Sequence, residues 1–112
     1  MYEFKGRHYL ASLYGVKKIK NHELLKEVFT KAIEQSNGTI CGYTEHIFND
    51  GGMTGIFLLK ESHCSFHTYA QQKNMFVDFF TCGTGSDWRV FENILLCNLE
   101  MDKSKSKRIH RT

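Results

Sequence analysis

Residues 55–68 read GIFLLKESHCSFHT, an apolar run that passes directly into a carboxylate, two serines, a cysteine and two imidazoles. No Gly or Pro interrupts it after Gly55, so it reads as one strand from about Thr54 through Ser62 and on to Thr68. Successive side chains of a strand point to opposite faces. Ser62, Cys64 and Phe66 therefore share one face, and His63, Ser65 and His67 share the other. A Ser–His pair within one strand cannot form a simple hydrolase dyad. Either the pair works across a subunit or sheet boundary, or Ser62 is itself attacked and modified where it stands.

Outward from this stretch, Met75 to Thr81 reads as a second core strand, joined across Gln71 to Asn74. Upstream, residues 7–14 form an aromatic and aliphatic first strand ended by Gly15. Asn21 then caps a helix in which Leu24, Leu25, Val28, Phe29, Ala32 and Ile33 recur at three- and four-residue spacing, until Asn37–Gly38 stops it. Thr39 to Phe48 has strand character, and Asn49-Asp-Gly-Gly52 is a turn. Downstream, Ser86 or Asp87 caps a last helix with an apolar stripe of Trp88, Phe91, Ile94, Leu95 and Leu99. Lys105 to His110 adds at most a short edge strand. The order of strand, helix, three strands and helix predicts an α+β two-layer sandwich, with antiparallel sheet and both helices on one face.

A chain of 112 residues is a single domain, and one of this size buries only roughly 60–65% of its unfolded surface, so a subunit interface would help it. Hydrophobic residues make up 41% and nine of the residues are Phe, which excludes a disordered chain. No apolar run approaches the ~20 residues of a membrane span and no secretion signal opens the chain, so the expected location is cytoplasmic. The four cysteines lack C-x-x-C spacing and read as free thiols without a metal site. Cys41 and Cys97 read as small core residues, whereas Cys82 precedes the Gly83-Thr-Gly85 turn, where a side chain reaches a cleft. Five of the 15 basic residues lie in the last eleven positions, which reads as a solvated terminus and not a nucleic-acid site.

Glu61-Ser-His63, then His67-Thr68, then Phe80-Thr-Cys-Gly83 resemble the processing and active-site motifs of the prokaryotic S-adenosylmethionine decarboxylase proenzymes. Gly6-Arg-His8, Phe48 and Gly52-Met-Thr-Gly55 fall where that family has counterparts, so the resemblance spans about residues 6–100. It implies a homodimer, a four-layer αββα sandwich whose second subunit covers the open sheet face. It also implies cleavage into residues 1–61 and 62–112, with a pyruvoyl group made from Ser62. Such a group forms a Schiff base with a substrate amine and accepts the electron pair released with carbon dioxide.

By the same resemblance His67 serves processing with help from Thr54, where the family commonly has Ser, and Cys82 donates a proton to the product carbon. Phe48 packs against the substrate's adenine. Ser62 and Cys82 of one subunit would meet Phe48, Thr54, His67 and Gln71 of the other. The chain departs from the family after Thr68, where Trp, Pro and Glu are usual and this chain has Tyr69, Ala70 and Gln71. Gln71 replaces the carboxylate expected to bind the ribose hydroxyls. The reaction expected is decarboxylation of S-adenosylmethionine for polyamine synthesis. The alternatives are the same machinery acting on ornithine or arginine, or an unprocessed paralogue that only regulates a partner.

Overall fold

The computed structural model describes residues 4–82 and 86–112. Along the chain run β1 (Gly6–Tyr14), α1 (His22–Gln35), β2 (Ile40–Ile47), β3 (Met53–Leu59), β4 (Ser62–Tyr69), β5 (Asn74–Cys82), α2 (Trp88–Asn98) and β6 (Lys103–Arg111). The six strands form one sheet in the order β2-β3-β4-β5-β1-β6, every pair antiparallel. Both helices lie on one face of the sheet, so the α+β two-layer arrangement expected from the sequence is present.

Two expectations about strands change. The continuous strand from Thr54 to Thr68 is a hairpin, with Leu59 paired to Ser62 across the two residues Lys60 and Glu61. Glu61 makes the reversal by adopting φ +63, the left-handed region that a residue with a Cβ seldom enters. The carboxyl-terminal segment is a full strand, not a short edge: β6 pairs with β1 along its whole length, from Tyr14–Lys103 to Gly6–Arg111. The order is thus strand, helix, four strands, helix, strand.

The helix-facing side of the sheet supplies the core. Asn21 caps α1 by accepting from the Leu24 amide, and Asp87 caps α2 by accepting from the Arg89 amide. These caps set helices whose apolar stripes deliver Phe29 and Phe91 onto the sheet. Phe29 stacks on Phe66 of β4 at 4.5 Å between centroids, Phe91 stacks on Phe79 of β5 at 4.3 Å, and the two helix rings meet edge to face at 6.1 Å. Gly55 on β3 is required here, because a Cβ at that position would lie 2.5 Å from the Phe66 ring.

The cysteines are distributed otherwise than the sequence suggests. Cys41 and Cys97 are exposed, and the core thiol is Cys64. Cys41 lies on the edge strand β2 and Cys97 on the outer side of α2, so neither reaches the layer between helices and sheet. Burial, with a smaller contribution from the Asp78 charge, pushes the Cys64 thiol well above its ordinary range, which keeps it protonated and inert. The opposite face of the sheet has no covering element among the described residues and exposes Ile56, Leu58, Tyr69, Phe76 and Ile109.

Because Phe29 joins the β4 and α2 aromatics, Phe29→Ala should cost about 3–5 kcal/mol of unfolding free energy, as large-to-small core changes do. A urea unfolding midpoint unchanged from wild type would contradict this packing.

Candidate active site

The Lys60–Glu61 turn puts Ser62 at the first position of β4, where alternation directs Cys64, Phe66 and Thr68 into the core. At the far end of β5, Cys82 reaches the same edge of the sheet, and its amide donates to Ser62 Oγ at 3.3 Å. Glu61, Ser62 and Cys82 line one cavity of about 250 Å³, whose wall is completed by Asn37, Thr39 and Ser86. Lys60 is fixed there by its amide, which donates to the Thr39 carbonyl at 2.9 Å. The turn at residues 83–85 that the sequence placed beside Cys82 lies outside the described residues, as does the Gly83 of that motif.

His67 stands five residues further along β4, roughly 16 Å away at about 3.3 Å per residue, and on the open face. There its Nδ1 is 2.6 Å from Thr54 Oγ1, the residue paired with it on β3. Phe48 packs edge to face on His67 at 5.9 Å and on His46 at 4.7 Å, while Tyr69 meets His67 at 4.7 Å. Phe48 is placed by its own turn: its amide donates to Gly52 and its carbonyl accepts from Gly51, whose φ of +91 suits glycine alone. Asp50 tightens the turn by accepting from the Gly52 amide, and His22 at the start of α1 lies 2.8 Å from the Gly51 carbonyl. Phe48, His67, Tyr69 and Gln71 line a second cavity, of about 530 Å³.

The candidate residues thus fall into two half-sites. Ser62 and Cys82 meet at one end of β4, and Phe48, Thr54, His67 and Gln71 gather at the other. Within one chain the two groups do not touch. Sequence reasoning missed Asn37, Thr39 and Ser86 as walls of the first cavity; Asn37–Gly38 read only as a helix stop. It also missed the hydrogen-bonded pair of His8 and Asp78 on the open face, which is a contact between residues 70 positions apart and leaves no local pattern. Among the described residues no group of three His, Cys, Asp or Glu side chains is placed to hold a metal ion, and no helix is long and apolar enough to cross a membrane.

Comparison with known proteins places the chain in one family and one fold. A family profile described as S-adenosylmethionine decarboxylase matches residues 7–112. A protein of Archaeoglobus fulgidus named S-adenosylmethionine decarboxylase proenzyme is 39% identical over 83 residues, 72% of this chain and 74% of that one. An arginine decarboxylase proenzyme of Hyperthermus butylicus is 36% identical over 96 residues, 81% of this chain and 68% of that one. The crystal structure of the adenosylmethionine decarboxylase of Aquifex aeolicus superposes with a TM-score of 0.82 at 30% identity, covering 93% of this chain and 88% of that one.

Thr54 Oγ1 sits against His67 Nδ1 and so orients the imidazole. Thr54→Val keeps the shape of the side chain and removes the hydroxyl. If the chain is cut after Glu61, as the motif resemblance implies, this substitution should slow the cut by about 10- to 100-fold, the effect of losing a group that orients a functional side chain. Cleavage at the wild-type rate, followed by denaturing mass spectrometry after timed incubation, would leave that contact without a role.

Proposed function

This chain belongs to the S-adenosylmethionine decarboxylase family, and from that premise we propose that it makes its own prosthetic group at the Glu61–Ser62 bond. The reaction of the enzyme is the decarboxylation of S-adenosylmethionine, a carboxy-lyase reaction. The observation that carries the site assignment is the Ser62 hydroxyl at the mouth of a tight turn, next to a left-handed Glu61 and within reach of the Cys82 amide.

The chemistry follows from those atoms. Ser62 Oγ attacks the Glu61 carbonyl carbon, the peptide C–N bond breaks, and the acyl group passes from nitrogen to oxygen. Removal of the Ser62 α-hydrogen then expels the Glu61 carboxylate, and water displaces ammonia from the remaining end. A pyruvoyl group supplies an electrophilic carbonyl that binds the substrate amine and takes up electrons as carbon dioxide leaves. Cys82, beside it, donates the proton to the product carbon.

A base is needed for the α-hydrogen, and His67 has the imidazole for it, yet it lies at the other end of the same strand. We place the missing half in a second copy of the chain. Two open sheet faces laid together with strand ends exchanged would set the end of the sheet that carries Ser62 and Cys82 in one protomer beside the His67 half-site of its partner. The exposed Ile56, Leu58 and Phe76 support this reading, since a face of that kind needs covering. Phe48, 41% exposed and held in its turn, offers a ring for the adenine and for the sulfonium beside it. The expected location is the cytoplasm.

A second reading concerns the substrate. Gln71 lines the Phe48 cavity where the family has a carboxylate, and the Hyperthermus butylicus relative is named for arginine. A carboxylate accepts from both ribose hydroxyls, whereas Gln has one acceptor oxygen and a donor amide. The change costs about 1–3 kcal/mol of binding for a nucleoside substrate.

Denaturing mass spectrometry should find fragments 1–61 and 62–112, the second blocked by pyruvate, and a single intact chain for Ser62→Ala. Co-expression of Ser62→Ala with His67→Ala, each inactive alone, should restore about a quarter of wild-type activity, because half of randomly mixed dimers hold one complete site out of two. No recovery in verified mixed dimers would rule out sharing. Released carbon dioxide should be greatest with S-adenosylmethionine, and Gln71→Glu should lower its Michaelis constant; turnover of arginine or ornithine alone would move the assignment to an amino-acid substrate.

A further inference from the structure

Phe48 stands at the tip of the hairpin formed by β2 and β3. β2 is the outermost strand of the sheet, so the tip is carried by one ladder, whose last pairs are His46–Thr54 and Ile47–Met53. Bonds inside the tip set its shape: the Phe48 amide donates to the Gly52 carbonyl at 2.8 Å, the Gly51 amide to the Phe48 carbonyl at 3.0 Å, and the Gly52 amide to Asp50 Oδ1 at 2.8 Å. None of the three fixes where the tip stands against the rest of the molecule. Among the described residues, the hydrogen bond that joins residues 48–52 to another element is that of His22, whose Nε2 lies 2.8 Å from the Gly51 carbonyl. A carbonyl oxygen accepts, so the imidazole donates from Nε2–H, in its neutral or its charged form.

The donor is rigidly carried. His22 is the first residue of α1, whose cap Asn21 accepts from the Leu24 amide at 3.1 Å and whose Leu25 and Phe29 are fully buried, Phe29 against Phe66 of β4. Just before the cap, the Lys20 chain lies along Gly51, where a Cβ would meet its Cδ at 3.0 Å. The tip of an edge hairpin is thereby pinned to a helix rooted in the core. Phe48 rides on that tip, packs edge to face on His67 at 5.9 Å and lines the cavity that also holds Gln71. His22 itself does not line that cavity.

We propose that His22 is a positioning residue for substrate affinity: its bond to Gly51 holds the hairpin tip so that the Phe48 ring stands where an adenine stacks on it. The inference rests on the reading of Phe48 given above. Aromatic stacking depends on the offset and spacing of the two rings, so it is sensitive to where a carrier loop stands as well as to its shape. A tip that swings on one ladder keeps its internal bonds and still loses the bound ring. Edge segments with few buried contacts are where such local opening costs least, and a single added bond to a fixed helix opposes it there. His22 acts through Phe48 and on binding; the Glu61–Ser62 bond lies at the other end of β4.

The test has two arms. In the first, hydrogen–deuterium exchange is followed by mass spectrometry in full-length Ser62→Ala, alone and combined with His22→Leu, which removes the donor, or with His22→Gln, whose side-chain amide restores one. The amides of residues 48–52 should exchange about 3- to 10-fold faster with His22→Leu, the size of one net hydrogen bond, and recover with His22→Gln, while those of β4 and β5 keep their rates. This arm needs neither cleavage nor substrate, so it separates a failure of the tie from a failure of the cleavage or adenine readings. Unchanged exchange at 48–52, or faster exchange throughout the sheet, overturns the proposal. In the second arm, His22→Leu should raise the KM of the processed enzyme for S-adenosylmethionine about 3- to 10-fold with kcat within about twofold of wild type, and His22→Gln should recover most of the loss. Phe48→Ala should also raise KM, and adding His22→Leu to it should raise KM no further, because two changes that act through one ring do not add. A raised KM in Phe48→Ala with none in His22→Leu overturns this proposal alone, as does an equal further rise when both are combined or a fall in kcat at unchanged KM. If neither variant moves KM, the adenine reading falls and the proposal with it.

Discussion

An extended strand holds Ser62 and His67 five residues apart, and no change of rotamer closes a gap of roughly 16 Å between groups at opposite ends of β4. Much of the architecture follows from that separation. The residues that make the core must use the helix-facing side of β4, so Cys64, Phe66 and Thr68 are buried and His63, Ser65 and His67 are left on the other side. The same alternation on β5 buries Met75, Val77 and Phe79 and leaves Phe76 and Phe80 on the open side, where Phe80 stacks on His63. A sheet with one apolar, helix-covered face and one mixed, open face is thereby committed to a partner, or to exposing several large side chains to water.

Glu61 is the second constraint. A left-handed residue with a Cβ costs on the order of 1–2 kcal/mol. Lys73, in the turn between β4 and β5, and Asn37, after α1, accept the same conformation, with φ of +61 and +72. The strain is therefore what tight reversals in this chain require, and it does not by itself mark a reactive bond. What sets Glu61 apart is its successor: a hydroxyl one residue away, whose oxygen already accepts from an amide of the neighbouring strand. Lys73 is followed by Asn74 and carries no such group.

The alternation of residues 62–68, the Asn21 cap, both apolar stripes and the placing of both helices on one side of the sheet were legible in the sequence, because each depends on residues close together in the chain; the second cap read as Ser86 or Asp87, and the structure uses Asp87. The hairpin at Lys60–Glu61 was not. Turns are recognised by Gly, Asn, Asp and Pro, and this one is made by two charged residues of no turn preference, held by the Thr39 carbonyl from another part of the chain. The extent of β6 was hidden for a related reason: Lys103-Ser-Lys-Ser-Lys107 has the composition of a tail, and only its ladder with β1 makes it a strand. Cys41 and Cys97 misled because cysteine is common in cores, while position in the sheet and on the helix decides burial. For the candidate site, motif resemblance named the residues, and only the strand register divides them into two groups at opposite ends of β4.

The register also explains how the fold would outlast a cut between Glu61 and Ser62. The segment before the cut holds β1, α1, β2 and β3, and the segment after it holds β4, β5, α2 and β6. In the sheet these do not lie side by side as two blocks. β3 pairs with β4 across the cut, and β1 is inserted between β5 and β6, bonded to one along Gly6–Leu13 and to the other along Gly6–Tyr14. Phe29 of α1 likewise packs on Phe66 and Phe91 from the other segment. Three ladders and the aromatic core thus join the segments, whereas the cut lies in a two-residue turn that contributes little to either. A cut at this turn would free a chain end beside Cys82 while every strand keeps its neighbours, so the fold itself puts no obstacle in the way of the proposed cleavage.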